Sequence, residues 1–244
     1  MGLPLTQIRI MGVVQQKPKP KTRRTKTKHD TNKKSIALEP LNDKQGDYIS
    51  ALDTSDQVVV FGPAGTGKTY VVSTYAANLY HTKQIDKIVI TRPHVAVGKD
   101  IGFLKGSLEE KCAPWALPVL DVLEKHLGKG VVETGLKNGN IEIAPLALMR
   151  GRSFDNAFVI CDESQNISFH ELKMLVTRIG ENSKLVLNGD IQQSDLKDGD
   201  GLTKVVHLVK KYMLPVPIVE FTTDDIVRSG MTKMWVETFV KEGL

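Results

Sequence analysis

Beyond residue 40 the hydrophobic positions fall into short runs rather than one amphipathic repeat. Val58–Phe61, Ile88–Thr91, Ile141–Ala144, Ala157–Cys161, Lys184–Leu187 and Ile218–Phe221 are each four or five residues long and rich in β-branched side chains. Runs this short, apolar at consecutive positions, predict strands covered on both faces. Helical stretches separate several of them: Lys68–Leu79 follows the first strand and His170–Thr177 the fourth. Such alternation predicts parallel βαβ units, and hence an α/β three-layer sandwich with a mostly parallel central sheet. The stretch from Val95 to Asn140 is longer and less regular, with Pro114, Pro118 and a turn signal at Asn138–Gly139. It reads as a helical insertion after the second strand that could also hold a hairpin. No internal repeat is present.

The first strand runs into Gly62-Pro63-Ala64-Gly65-Thr66-Gly67-Lys68-Thr69. The spacing is that of a phosphate-binding loop, with a strand before it and a helix opening at Lys68. Glycines let backbone N–H groups turn inward around phosphate oxygens, and the helix N-terminus adds partial positive charge. In that setting Lys68 reaches the β/γ-phosphates of ATP and the Thr69 hydroxyl is a Mg²⁺ ligand. An accidental glycine-rich turn does not account for Lys-Thr at that spacing.

The strand Ala157–Cys161 ends in Asp162-Glu163. In an open parallel sheet its tip lies at the edge where ligands bind, beside the P-loop. Asp162 there can hold Mg²⁺ through water, and Glu163 can polarise or deprotonate the attacking water. A solvated turn would account for the two acids alone but not for their pairing with the P-loop. A third polar strand end, Asn188-Gly189-Asp190 with Gln192 and Gln193 following, would set an amide near the γ-phosphate or would be only a polar loop.

Charge changes the picture at the N-terminus. Residues 1–34 hold ten Lys/Arg and one acid, a net +9 in a chain of 244 residues and net +5, so the remainder sums to about −4. Residues 15–34 have no apolar anchor and include Pro18 and Pro20. They are expected to be disordered, either as a solubilising tail or as a polybasic arm for phosphate backbones. The boundary is drawn at 1–39 for the tail and 40–244 for the folded domain. Two cysteines suggest neither a disulfide framework nor a zinc site, and point to a reducing compartment. With no apolar run of membrane-spanning length and no signal-peptide pattern, a cytoplasmic protein without membrane contact is expected.

Together these elements resemble the PhoH family, phosphate-starvation-inducible ATPases related to superfamily 1 helicases. The resemblance extends through Thr91-Arg92-Pro93, Gly98 to Gly102-Phe103-Leu104, Arg150-Gly151-Arg152, Asp162-Glu163-Ser164-Gln165-Asn166, Thr177-Arg178-Ile179-Gly180, Gly189-Asp190 with Gln193, and Asp225-Ile226-Val227-Arg228. It covers roughly Leu41 to Phe239. It implies a RecA-like P-loop fold, ATP and Mg²⁺ as ligands, and an adenine-reading role for Gln45. Ser164 departs from the family's usual Ala, and Ile191-Gln192 from its usual Pro-Thr; the family register favours Gln193 over Gln192 as the amide that faces phosphate. Some relatives carry an N-terminal PIN-type nuclease domain, which a tail of forty residues cannot encode.

Two functional classes follow. One is an ATPase coupled to RNA or single-stranded nucleic acid, helicase- or translocase-like. The other is an ATP-dependent regulatory protein, linked through the resemblance to phosphate starvation, whose ATPase answers to a protein partner. The basic tail favours the first; the acidic remainder and 6% aromatic content restrain it. Superfamily 1 helicases close the nucleotide between two RecA-like domains, the second supplying an arginine. This chain has room for one, so a neighbouring subunit is expected to complete the site in a homo-oligomer, a hexameric ring. Candidate arginines are Arg178 and Arg228, then Arg150 and Arg152.

Overall fold

The computed structural model describes residues 35–93, 108–194 and 201–242. Seven helices and six strands follow one another as α1 (Asp43–Thr54), β1 (Gln57–Phe61), α2 (Lys68–His81), β2 (Lys87–Thr91), α3 (Leu108–Leu127), α4 (Lys129–Asn138), β3 (Ile141–Ile143), β4 (Ala157–Cys161), α5 (Phe169–Val176), β5 (Lys184–Gly189), α6 (Gly201–Tyr212), β6 (Ile218–Glu220) and α7 (Gly230–Glu242). The sheet runs β3-β2-β4-β5-β1-β6, and every pairing in it is parallel. β5 therefore lies between the P-loop strand β1 and the acidic strand β4.

Side chains of β1 alternate between two cores. Val58 and Val60 join α1, α2, α3 and α4 on one face. Val59 and Phe61 join α5 and α6 on the other. The expected three-layer, RecA-like α/β architecture follows from this double cover: each fully buried Val, Leu or Ile contributes about 1.5–3 kcal/mol, and none of the central strands has a wet face. β5 runs two residues past its apolar stretch, because Asn188 and Gly189 stay in register with Val60 and Phe61 of β1. β3 and β6 are each one residue shorter than expected.

The insertion after β2 is helical in its described part, as its sequence suggests. Its described part is two helices and no hairpin, and α3 continues through Pro114 and Pro118. Each proline removes one intrahelical donor. The helix persists because Ala116, Val119, Leu120 and Leu123 are buried in the first core, so packing outweighs the local penalty. The turn at Asn138–Gly139 is present: Gly139, at φ +74°, caps α4. The family-like residues Gly98 to Gly106 lie outside the described residues, as does the basic segment 1–34. The Ile36 N–H donates to Asn78 Oδ1 at 2.8 Å. Ile36 and Leu38 also pack on the first core.

Candidate functional site

The P-loop joins β1 to α2 across a backbone that only glycine permits at two points. Gly62 has φ +142°, and a Cβ there would stand 2.3 Å from the Phe221 carbonyl oxygen. Gly67, at φ +85°, is the N-cap of α2. A Cβ at Gly67 would meet Gln45 Nε2 at 2.7 Å. Inside the loop Thr66 is buried, its hydroxyl donating to the Pro63 carbonyl at 3.1 Å. The Lys68 ammonium donates to the Gly62 and Pro63 carbonyls at 2.7 and 2.9 Å. Burial lowers its pKa, an effect opposed by Asp190, Asp162 and Glu163. A pocket of about 460 Å³ opens over the loop, with Gly65, Lys68, Thr69, Asp162, Glu163 and Gln193 among its walls. That is the volume class of nucleotide-sized ligand sites.

Thr69 in the first turn of α2, Asp162 just after β4 and Asn188 near the end of β5 form one cluster. Asn188 Nδ2 donates to Asp162 Oδ1 at 2.7 Å and to Thr69 Oγ1 at 3.1 Å. Thr69 Oγ1 stands 3.5 Å from the same carboxylate oxygen. Buried Asn188 Oδ1 has no hydrogen-bond partner among the described residues. A hydroxyl, a carboxylate and a spare amide oxygen make a hard-oxygen donor set, and they fit Mg²⁺. Burial, and then the charge of Glu163, push the Asp162 pKa up to about 6.

A raised carboxylate pKa means the fold favours the protonated form. Between the ordinary value of 3.8 and about 6 the ionised Asp162 costs the fold stability, and that cost stays at neutral pH until a cation offsets it. Mg²⁺ affinity in the presence of nucleotide is therefore expected to be flat above pH 7 and to fall about tenfold per unit below pH 6. Asp162→Asn should weaken Mg²⁺ binding and make this pH dependence shallower, leaving the part that comes from the terminal phosphate of the nucleotide. Mg²⁺ titrations at pH 5 to 8 measure both; an unchanged slope in the variant would separate Asp162 from the metal.

Glu163 is held from two sides. Its backbone is left-handed, φ +54°, which turns the side chain out of the strand line. Arg92 Nη2 lies 3.6 Å from one carboxylate oxygen. Gln165 Nε2 donates to the other at 2.7 Å. The Gln165 amide cannot be reversed, because its oxygen accepts the Asp190 N–H at 2.9 Å. Ser164, in place of the usual alanine, donates to the Asn188 carbonyl at 2.9 Å and ties the end of β4 to that of β5.

Residues 37–240 match the family model described as PhoH-like protein. The chain belongs to the PhoH family. A PhoH-like protein of Bacillus subtilis is 39% identical over 211 residues, covering 86% of this chain and 65% of the relative. Protein PhoH of Escherichia coli K12 is 39% identical over 202 residues, covering 81% and 57%. A PhoH-like protein of Mycobacterium tuberculosis is 38% identical over 210 residues, covering 85% and 59%. The chain thus spans about three-fifths of the length of these relatives. Among solved structures, the Pif1 helicase from Candida albicans is similar with 17% identity and a TM-score of 0.40, over 76% of this chain and 41% of that one. Among the described residues no helix is long and apolar enough to cross a membrane.

In this PhoH-family chain the third strand end resolves its two glutamines. Asp190 caps a short 3₁₀ turn, Ile191–Gln193, its side chain accepting the Gln192 N–H. Gln193 lines the P-loop pocket, whereas Gln192 lines a neighbouring cleft beside Pro63 and Thr222. Burial raises the Asp190 pKa. Gln45 is buried under the loop, where its Nε2 donates to the Thr66 carbonyl at 3.0 Å and its Oε1 accepts the Leu41 N–H at 2.9 Å. It borders a second cleft of about 560 Å³ with Leu41, Gly67, Tyr70, Lys125 and Val227. That cleft adjoins the P-loop pocket through Gly67, Tyr70 and Val227.

The arginines separate. Arg228 lines the chain's own P-loop pocket, placed there by the Val227 N–H donating to the Gly65 carbonyl at 3.1 Å. Arg178 lies at the other end of the strands: its carbonyl accepts from Phe154, ahead of β4. Five residues of β4 put roughly 17 Å between that edge and Asp162. Buried Arg178 Nε has no hydrogen-bond partner among the described residues. Arg152 is occupied within its own chain, bonded through two nitrogens to Glu142 at 2.5 and 2.8 Å. That pair, with Lys87, holds the Glu142 pKa down to about 2. Arg150 is exposed. The contacts of Arg92, Gln165 and Asn188 were not assigned by sequence reasoning, although all three stand inside the stretches that carry the chemistry.

Proposed function

We propose that this protein is a Mg²⁺-dependent ATPase coupled to RNA or single-stranded nucleic acid, acting as a helicase- or translocase-like homo-oligomeric ring. The observation that carries the reading is the gathering of Lys68, the Thr69–Asn188–Asp162 cluster and Glu163 around one pocket at the carboxyl edge of the sheet. The P-loop amides and Lys68 would bind and orient the triphosphate. Thr69 and Asp162 would hold Mg²⁺, which supplies charge neutralisation on the β- and γ-phosphates. Glu163 would orient the attacking water and take its proton, and Gln193 would face the γ-phosphate. Gln45 would stand on the base side.

Coupling to nucleic acid rests on the nine net positive charges of residues 1–34. The second reading, a regulatory ATPase answering to a protein partner, is favoured by the net −4 of the remainder. ATPase rates over a panel of single-stranded RNA and DNA decide between them. Stimulation of kcat is expected. Deleting residues 1–34 should keep the basal rate, lower nucleic-acid affinity most at low salt, and flatten its salt slope. No stimulation by any member of the panel would favour the protein-coupled reading.

A further inference from the structure

The C-terminal helix α7 has an apolar face that the described residues leave open. No described side chain of α7 is buried, and its packing is against the 3₁₀ turn Thr223–Asp225. Met231, Met234, Trp235 and Phe239 fall on one stripe at helical spacing. They are 65%, 61%, 57% and 47% exposed. The rings of Trp235 and Phe239 stack at 5.6 Å. This is on the order of 500 Å² of contiguous apolar surface, the size that marks an interaction site on a soluble chain. A helix of 13 residues is also marginal in water without packing on one face.

A second apolar surface lies at the opposite edge of the same sheet. Val176, Leu185, Leu208, Leu214 and Val216 line a groove of about 140 Å³ between the starts of β1 and β5 and the end of α6. An apolar cavity of about this size accepts one benzene ring. Tyr212 and Met213 stand exposed beside it in sequence. Charges match at the ends of the two surfaces: Glu242 continues the α7 stripe one turn beyond Phe239, and exposed Lys210 and Lys211 flank the groove.

We propose that α7 docks its Met231–Phe239 face into the α6 groove of a second copy of this chain. The two surfaces are different patches at opposite edges, so the contact is head-to-tail, the kind that builds a ring when the rotation between copies closes. Their positions also bear on the nucleotide. α7 begins two residues after Arg228, which lines the pocket of its own chain, and the groove wall residue Val176 precedes Arg178 by two. Docking thus brings the second copy's Arg178, whose Nε has no hydrogen-bond partner among the described residues, close to the first copy's α7. The inference rests on the ring reading above and names the surface that builds it.

Two full-length variants test it by light scattering. The first, Trp235→Glu with Phe239→Glu, loses the hook. The second, Leu208→Asp with Leu214→Asp, loses the groove. Circular dichroism and nucleotide binding check that each folds. Both are expected to be monomers alone, and their equimolar mixture a heterodimer that grows no further, since only one hook and one groove remain. A groove variant that still self-associates would point to α7 pairing with α7 and overturn the proposal. An oligomeric wild type with both variants also oligomeric would overturn this interface and leave the ring reading standing; a monomeric wild type with full ATPase activity would end both. Exposed charge changes guard against misfolding: Glu242→Lys, or Lys210→Glu with Lys211→Glu, should each weaken assembly roughly threefold to tenfold, and their combination should restore it. No weakening by either change would count against the docking.

Discussion

Lys68→Ala is expected to reduce ATP turnover to background and to weaken nucleotide binding at least roughly tenfold. The ammonium is 2.7 and 2.9 Å from two carbonyls of its own loop, and it faces three carboxylates across the pocket. Removing it leaves Asp162, Glu163 and Asp190 as the dominant local charges, against which a triphosphate must bind. A hydrogen bond to a charged group contributes about 1.5–3 kcal/mol, and charge on the transferred phosphoryl group makes the transition state more dependent on it than the ground state. Phosphate release and calorimetric titration with ATP–Mg²⁺ measure the two effects. An unchanged turnover rate would remove the P-loop from the mechanism.

Glu163→Gln should separate binding from hydrolysis. The amide is nearly isosteric and can still accept from Gln165, so the site is expected to keep its shape and its ATP–Mg²⁺ affinity. Single-turnover hydrolysis should slow at least roughly a hundredfold, the range for loss of a positioned acid–base group. A second effect follows from the electrostatics. The Glu163 charge is a cause of the raised Asp162 pKa, so its removal should let that pKa fall from about 6 and extend Mg²⁺ binding to lower pH. Rapid-quench hydrolysis that proceeds at the wild-type rate would show that another group handles the water.

The parts of the site that are local in sequence were legible there. The P-loop and the Asp162-Glu163 strand end depend on turns and strand tips a few residues long, and the sheet brings both to one edge. What sequence did not reveal depends on strand order. β5 enters between β1 and β4, and only then can Asn188 bridge Thr69 and Asp162, or Gln165 reach from Glu163 to Asp190. The length of α3 was not legible for a related reason: its prolines are local breakers, and the burial that overrides them is tertiary. Arg152 was a candidate for the arginine that acts in trans, and only the placement of β3 shows Glu142 paired with it.

The position of β1 in the sheet also governs how the chain can be built. Both strands beside β1 come late: β5 begins roughly 120 residues downstream, and β6 later still. At ribosomal rates of about 5–20 residues per second, Val58–Phe61 waits roughly 6 to 25 s with both edges unpaired. A bare apolar strand is a template for pairing with other chains, and contacts this distant in sequence form slowly. The P-loop shares the delay, since the tight seat of Gly62 is made by the backbone of Phe221. During synthesis the nucleotide cradle is therefore among the last features to take shape, although its residues are among the first of the domain to emerge.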